Sequence, residues 1–232
     1  MKYWRLQQRA ALLVLILLLD AVLLGSIAGV IKFRADGSVE AAAEYPSEPK
    51  MIALTFDDGP HNIYTEKLLD GLKKRNTRVT FFLMGENIEG NEALVRRMHE
   101  EGHLIGNHSY SHAKMTDIKA EVVCEEIART GELIDNIVGI TPQYLRPPYG
   151  DWNDDLECQL DLTTVFWTVD SLDWKLKNKK KIVRQVVKKA EEDSIILMHD
   201  IFPGSVEAAL EIVDTLHKQG YTFVTVDELL ID

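Results

Sequence analysis

Two adjacent carboxylates, Asp57 and Asp58, end an apolar run in Thr55-Phe56-Asp57-Asp58-Gly59-Pro60. Carboxylates are costly to bury without a cation or hydrogen-bond donors beside them. Gly59 and Pro60 turn the chain at once, which holds both side chains at the tip of the run. The same residues also make an ordinary turn. Further along, Asn107-His108-Ser109-Tyr110-Ser111-His112 carries His-x-x-x-His. On a helix this i, i+4 spacing puts both imidazoles on one face, suited to one metal ion; in a solvated loop they would be unrelated. With Asp58 as a third ligand the set is His, His, carboxylate. Such a set leaves positions open for water and substrate, as a catalytic zinc site does and a structural one does not.

Three more segments gather charged and polar residues: Leu145-Arg146-Pro147-Pro148-Tyr149-Gly150, Asp170-Ser171-Leu172-Asp173-Trp174 and Leu197-Met198-His199-Asp200. Each follows a short apolar or β-branched run. Strands are expected at Met51–Phe56, Arg78–Leu83, His103–Gly106, Tyr144–Arg146, Thr163–Val169, Ser194–Met198 and Tyr221–Val224. Helices are expected at Tyr64–Arg75, Glu92–Glu101, Lys119–Val138, Ile182–Glu192 and Val206–Gln219. The alternation predicts an α/β fold of about seven parallel strands covered by helices, closed as a distorted (β/α) barrel. Such a barrel works at the carboxyl ends of its strands, which is where the five segments fall.

The chain has 232 residues, 46% of them hydrophobic. That length and the lack of internal repeats predict one core, placed at 51–232. Residues 35–50 are small, acidic and Pro-containing, and read as a linker. Of the net charge of −11, residues 1–34 carry five cations against Asp20, which leaves −15 for the rest. An acidic domain repels phosphates, and no basic stripe interleaved with aromatics offsets this, so nucleic acid is not an expected partner.

Leu12 to Ile31 is an apolar stretch of 20 residues, enough to span a bilayer. The basic residues before it favour a cytoplasmic N-terminus, which sends the domain outside. Asp20 within it costs ~2.5–3.5 kcal/mol, which the flanking leucines offset. A cleaved signal peptide is the alternative, since Ser26-Ile27-Ala28 has a small-x-small pattern. Residues 1–34 are therefore expected to be an anchor or a signal peptide. The expected location is the cell membrane with the domain outside, or secretion after cleavage. Cys124 and Cys158 lack metal or redox spacing. Cys124 is expected as a buried thiol, with a bridge to Cys158 as the other reading.

In order and rough spacing the five segments resemble the motifs of the polysaccharide deacetylase family, the NodB-homology domain of carbohydrate esterase family four. The resemblance covers about residues 50–230. It implies that Asp58, His108 and His112 hold a divalent cation: zinc, or cobalt, nickel or manganese on the same ligands. It implies that Asp57 is the general base, held by Arg146, and that the Tyr149 N–H meets the oxyanion. His199 would be the general acid, raised in pKa by Asp173. Trp174 and Leu197 would pocket the acetyl methyl, although plain core packing also suits them. The implied substrate is an extracellular N-acetylated amino-sugar polymer, peptidoglycan or chitin-like, and the protein is expected to act as a monomer. An O-deacetylase of xylan and a non-catalytic carbohydrate-binding domain are the rival readings.

Overall fold

A computed structural model describes residues 49–153 and 161–231. The expected anchor or signal helix, most of the linker, and Cys158 lie outside the described residues. Among the described residues no helix is long and apolar enough to cross a membrane.

The elements follow one another as β1 (Lys50–Asp57), α1 (Tyr64–Lys74), β2 (Thr80–Leu83), α2 (Gly85–Ile88), α3 (Glu92–Glu100), β3 (Leu104–Asn107) and α4 (Ala120–Val138). Then come β4 (Tyr144–Leu145), β5 (Thr163–Thr164), β6 (Val169–Asp170), α5 (Asp173–Leu176), α6 (Lys179–Lys189), β7 (Ser194–His199), α7 (Pro203–Lys218), β8 (Tyr221–Val224) and α8 (Val226–Ile231). All pairings are parallel, in the order β5-β4-β3-β2-β1-β7-β6, with β8 also paired to β1. β8 meets Lys50–Ala53 while β2 meets Thr55–Asp57, so both strands share one edge of β1. The sheet is therefore seven strands wide, with an eighth tucked in at one end.

Alternation along β1 builds two cores. Ile52, Leu54 and Phe56 face the helices, against Leu68, Leu72 and Ile212. Met51 and Ala53 face the hollow of the curled sheet, with Phe82, Val165 and Val224. Both faces are apolar because both are covered, as expected for parallel strands. The helices follow the same logic. On α4, Val123, Ile127, Thr130 and Ile134 are buried at helical spacing, and Gly139 ends it at φ 73°.

Three expectations need correction. The curl does not close: among the described residues β5 and β6 are edges and do not pair. The single strand expected at Thr163–Val169 is two short strands with a break between them. Arg146 causes it, since its Nε donates to the Val165 carbonyl at 3.1 Å and its Nη2 to that of Phe166 at 3.3 Å. Those carbonyls serve a guanidinium instead of a ladder. Cys124 is disulfide-bonded, which overturns the buried-thiol reading.

Candidate active site

The inward row of β1 runs Met51, Ala53, Thr55, Asp57, so the pleat itself delivers Asp57 to the mouth of the hollow. In the β1–β7 register Asp57 stands opposite His199 and Thr55 opposite Leu197. Asp58 follows with φ 69°, a left-handed backbone that turns its carboxylate away from the strand direction. Strand alternation, which would separate two neighbouring side chains, is thus not what separates these two. Beneath the turn, a Cβ on Gly59 would come within 2.5 Å of the Asp200 carboxylate, so only glycine fits there.

His108 and His112 lie beyond the end of β3, in a loop and not on a helix. Ser109 at φ 61° and His112 at φ 59° fold the loop back so that the rings sit 5.0 Å apart. Glu126 secures it by accepting from the backbone N–H groups of Tyr110 and Ser111. His108 Nδ1 is 2.6 Å from the Arg146 carbonyl. A carbonyl only accepts, so Nδ1 carries the proton and Nε2 presents a lone pair. That Nε2 is 3.4 Å from Asp58 Oδ1, and His112 Nε2 is 3.3 Å from the same oxygen. Asp58 Oδ1 is buried and has no hydrogen-bond partner. Three ligand atoms therefore converge within 4.8 Å of one another, and among the described residues no other group of three does so. Acceptors facing acceptors are repulsive without a cation between them. The donor set and its outer hydrogen bond fit a divalent metal.

Burial opposes the charge on Asp58, but the surrounding histidines when protonated, His108 foremost, outweigh it and hold its pKa below the ordinary carboxylate value. Burial and the neighbouring His108 push His112 down, which favours the neutral ring a metal needs.

Arg146 is fully buried, with Nη1 2.9 Å from Asp57 Oδ1 and its guanidinium 4.2 Å from the centre of the Phe82 ring. Four hydrogen bonds from its Nε, Nη1 and Nη2 go to Thr55, Asp57 and the two carbonyls at the break between β5 and β6. Asp57 Oδ2 faces the mouth, 3.8 Å from His108 Nε2. On the opposite wall, His199 Nδ1 lies 2.8 Å from Asp173 Oδ1, and the His199 backbone N–H donates to Asp173 Oδ2 at 2.8 Å. Burial disfavours the imidazolium, yet Asp173, helped by Asp57 and Asp58, outweighs it and holds the His199 pKa up at about 9.

A cavity of about 480 Å³ joins these groups, lined also by Tyr149, Trp174, Leu197, Trp167 and Asp170. Trp174 is 48% and Tyr149 67% exposed, so neither is core packing, whereas Leu197 is buried at the cavity floor. Every expected site residue reaches this cavity except Arg146 and Asp173, which sit directly behind Asp57 and His199. No role was expected of Trp167, Asp170 or Asp200. Trp167 was hidden inside an apparently continuous strand, while the two acids stood within the singled-out segments, next to the residues that carried roles. Asp200 is fully buried and its pKa is pushed up to about 7 by that burial.

The sequence pattern described as polysaccharide deacetylase matches residues 44–165. Over 180 residues, 78% of this chain, the sequence is 43% identical to the peptidoglycan-N-acetylmuramic acid deacetylase PdaC of Bacillus subtilis. It is 39% identical over the same length to the peptidoglycan-N-acetylglucosamine deacetylase PgdA of Listeria monocytogenes. The chain spans 38% and 39% of the length of these two relatives. The solved structure of PdaC superposes with a TM-score of 0.76 at 42% identity, covering 78% of this chain and 90% of that one. A family 4 acetyl xylan esterase from Clostridium thermocellum, in complex with a cobalt ion, gives 0.74 at 36% identity, covering 78% and 91%.

Proposed function

The chain belongs to the polysaccharide deacetylase family, and from that premise we propose that it hydrolyses N-acetyl groups of peptidoglycan. The observation that carries this reading is the convergence of Asp58, His108 and His112 between Asp57 on one side and His199 on the other.

Asp58, His108 and His112 would hold the divalent cation, for which zinc suits the donors and cobalt, nickel or manganese are the substitutes. When bound, the ion supplies Lewis-acid polarisation of the acetamide carbonyl and of water. Asp57 takes the proton of the attacking water at Oδ2, while Arg146 holds Oδ1 and fixes the carboxylate in place. The oxyanion that develops on the acetyl carbonyl is met by the Tyr149 backbone N–H. His199, charged because Asp173 holds it so, gives its Nε2 proton to the departing sugar nitrogen. Trp174 and Leu197 frame the acetyl methyl, and Tyr149 lines the sugar side of the opening.

The domain, read as 51–232 and acting as a monomer, would work outside the membrane, behind the anchor or signal at 1–34. The disulfide at Cys124 supports an oxidising compartment. N-terminal sequencing of cell-derived protein separates the two exports: a start at Met1 means anchor, a start at Gly29 means cleavage.

Acetate release from peptidoglycan oligomers, with and without chelator, tests the activity. The expected result is release that a chelator abolishes and added metal restores. Release from acetylated xylan alone would make this an O-deacetylase, and no release from either would sink the proposal.

A further inference from the structure

The acidic domain keeps a cationic face. Between Ser171 and Ala190 stand eight Lys and Arg against one acid, Asp173, which is buried against His199. Most of the eight are on α6, which is anchored through buried Ile182 and Val186 and turns its cations to solvent. Among the described residues only Lys179 of these eight has an ion pair, with Glu211 at 2.8 Å. Like charges at i, i+3 and i+4, such as Lys181, Arg184 and Lys188, destabilise a helix when no carboxylate offsets them. The helix dipole favours Lys188 and Lys189 in the last turn but disfavours Lys179, Lys180 and Lys181 in the first.

These three cations border a groove of about 220 Å³ whose other walls are Leu172, Leu176 and Gln185. Among the described residues none lines both this groove and the active-site cavity, but residues 170–176 contribute to each in turn. Gln185 Nε2 donates to the Asp170 carbonyl at 3.2 Å, and Asp170 lines the cavity. The short helix α5 carries Trp174 into the cavity and Leu176 into the groove. A polymer seated with an acetamide in the cavity would continue across α5 onto the cations.

We propose that this groove is a subsite for carboxylates borne by the same glycan strand, so that the domain selects an anionic N-acetylated polymer over a neutral one. The proposal rests on the deacetylase reading above and narrows its substrate. Peptidoglycan has such carboxylates, on its lactyl groups and peptides; chitin-like and xylan-type chains without acid substituents do not. Charge complementarity and the Gln185 bond to the backbone of cavity-lining Asp170 favour the substrate strand as the occupant over an anionic membrane surface.

The test uses the full chain and its Lys181→Gln, Arg184→Gln, Lys188→Gln variant, three exposed positions outside the catalytic machinery. KM and kcat are measured on carboxylate-bearing peptidoglycan oligomers and on neutral N-acetylglucosamine oligomers, at low salt and in 0.5 M NaCl. For the anionic substrate KM should rise about tenfold in the variant with kcat unchanged, and salt should reproduce the rise in the wild type. For the neutral substrate neither should change. An equal change on both substrates, or on neither, overturns the proposal. Calorimetric binding of the anionic oligomer is followed in parallel: if no acetate is released yet the variant loses binding, the deacetylase reading fails and the subsite stands. If the variant keeps its glycan binding but loses affinity for phosphatidylglycerol vesicles, the face belongs to a membrane and the subsite falls.

Discussion

At the amino ends of the strands, Arg75 meets Asp214 at 2.7 Å and Lys73 meets Glu101 at 3.1 Å, each with a partner well open to water. At the carboxyl ends, Arg146 meets Asp57 at 2.9 Å with 0% and 4% of their side chains exposed. The bond lengths hardly differ, but the surroundings do. Water screens the first set, and such pairs contribute about 0–1 kcal/mol. The second pair has lost its hydration, so each charge depends on the other. Backbone strain leans the same way. Of eight non-glycine residues with left-handed φ among those described, Asp58, Ser109, His112, Tyr149 and Leu172 lie at the carboxyl-end mouth and Lys177 follows α5, while Asn76 and Asp193, before β2 and β7, are of types that adopt it more readily. Each such residue costs ~1–3 kcal/mol and persists only where its surroundings hold it. One end of the sheet is arranged for solubility and the other is held, against local preference, for chemistry.

The most severe way to break this contrast is at the mouth itself. Asp57→Asn keeps the shape and removes the base, so turnover should fall ~10²–10⁴-fold while metal content by elemental analysis stays the same. Asp58→Asn should lose metal first and regain activity in excess metal. Rescue of both variants by metal would make both aspartates ligands and leave the base to be sought elsewhere.

Next in size is the buried pair. Arg146→Met strands the Asp57 carboxylate and should destabilise the fold by ~3–5 kcal/mol in denaturant unfolding. A loss under 1 kcal/mol would mean that water reaches the hollow.

Asp173→Asn sharpens the contrast through pH. With Asp173 present, His199 keeps its proton to about 9, so activity should fall on the alkaline side near there. Without that carboxylate its pKa drops, and the alkaline limb should move to lower pH. The pair also stabilises the fold, fully below the ordinary histidine value of 6.5 and progressively less as pH rises through about 9. An unmoved alkaline limb would remove His199 as the acid.

The smallest effect belongs to the amino end, where Arg75→Ala should cost no more than ~1 kcal/mol and less in high salt. A loss matching that of Arg146→Met would erase the distinction between the two ends.

The alternation of apolar runs and helical periodicity was enough to read the strand–helix series, since covered parallel strands and amphipathic helices bury what their periods dictate. It also put the reactive residues at strand ends, and the family pattern named Asp57, Asp58, His108, His112, Arg146, Asp173 and His199. What periodicity could not convey was anything fixed by contacts between distant segments. Thr163–Val169 looks continuous because its residues favour strand; only Arg146, reaching from β4, shows why its carbonyls leave the ladder. The His-x-x-x-His spacing is compatible with a helix, yet Glu126 from α4 and two left-handed residues make it a loop. The cations of α6 vanish into a net negative charge until the fold sets Lys181, Arg184 and Lys188 along one groove. Local sequence determined which residues could act and on which element each sits. Tertiary structure decided which of them share a site, because the energy of a buried charge depends on neighbours brought there by other parts of the chain.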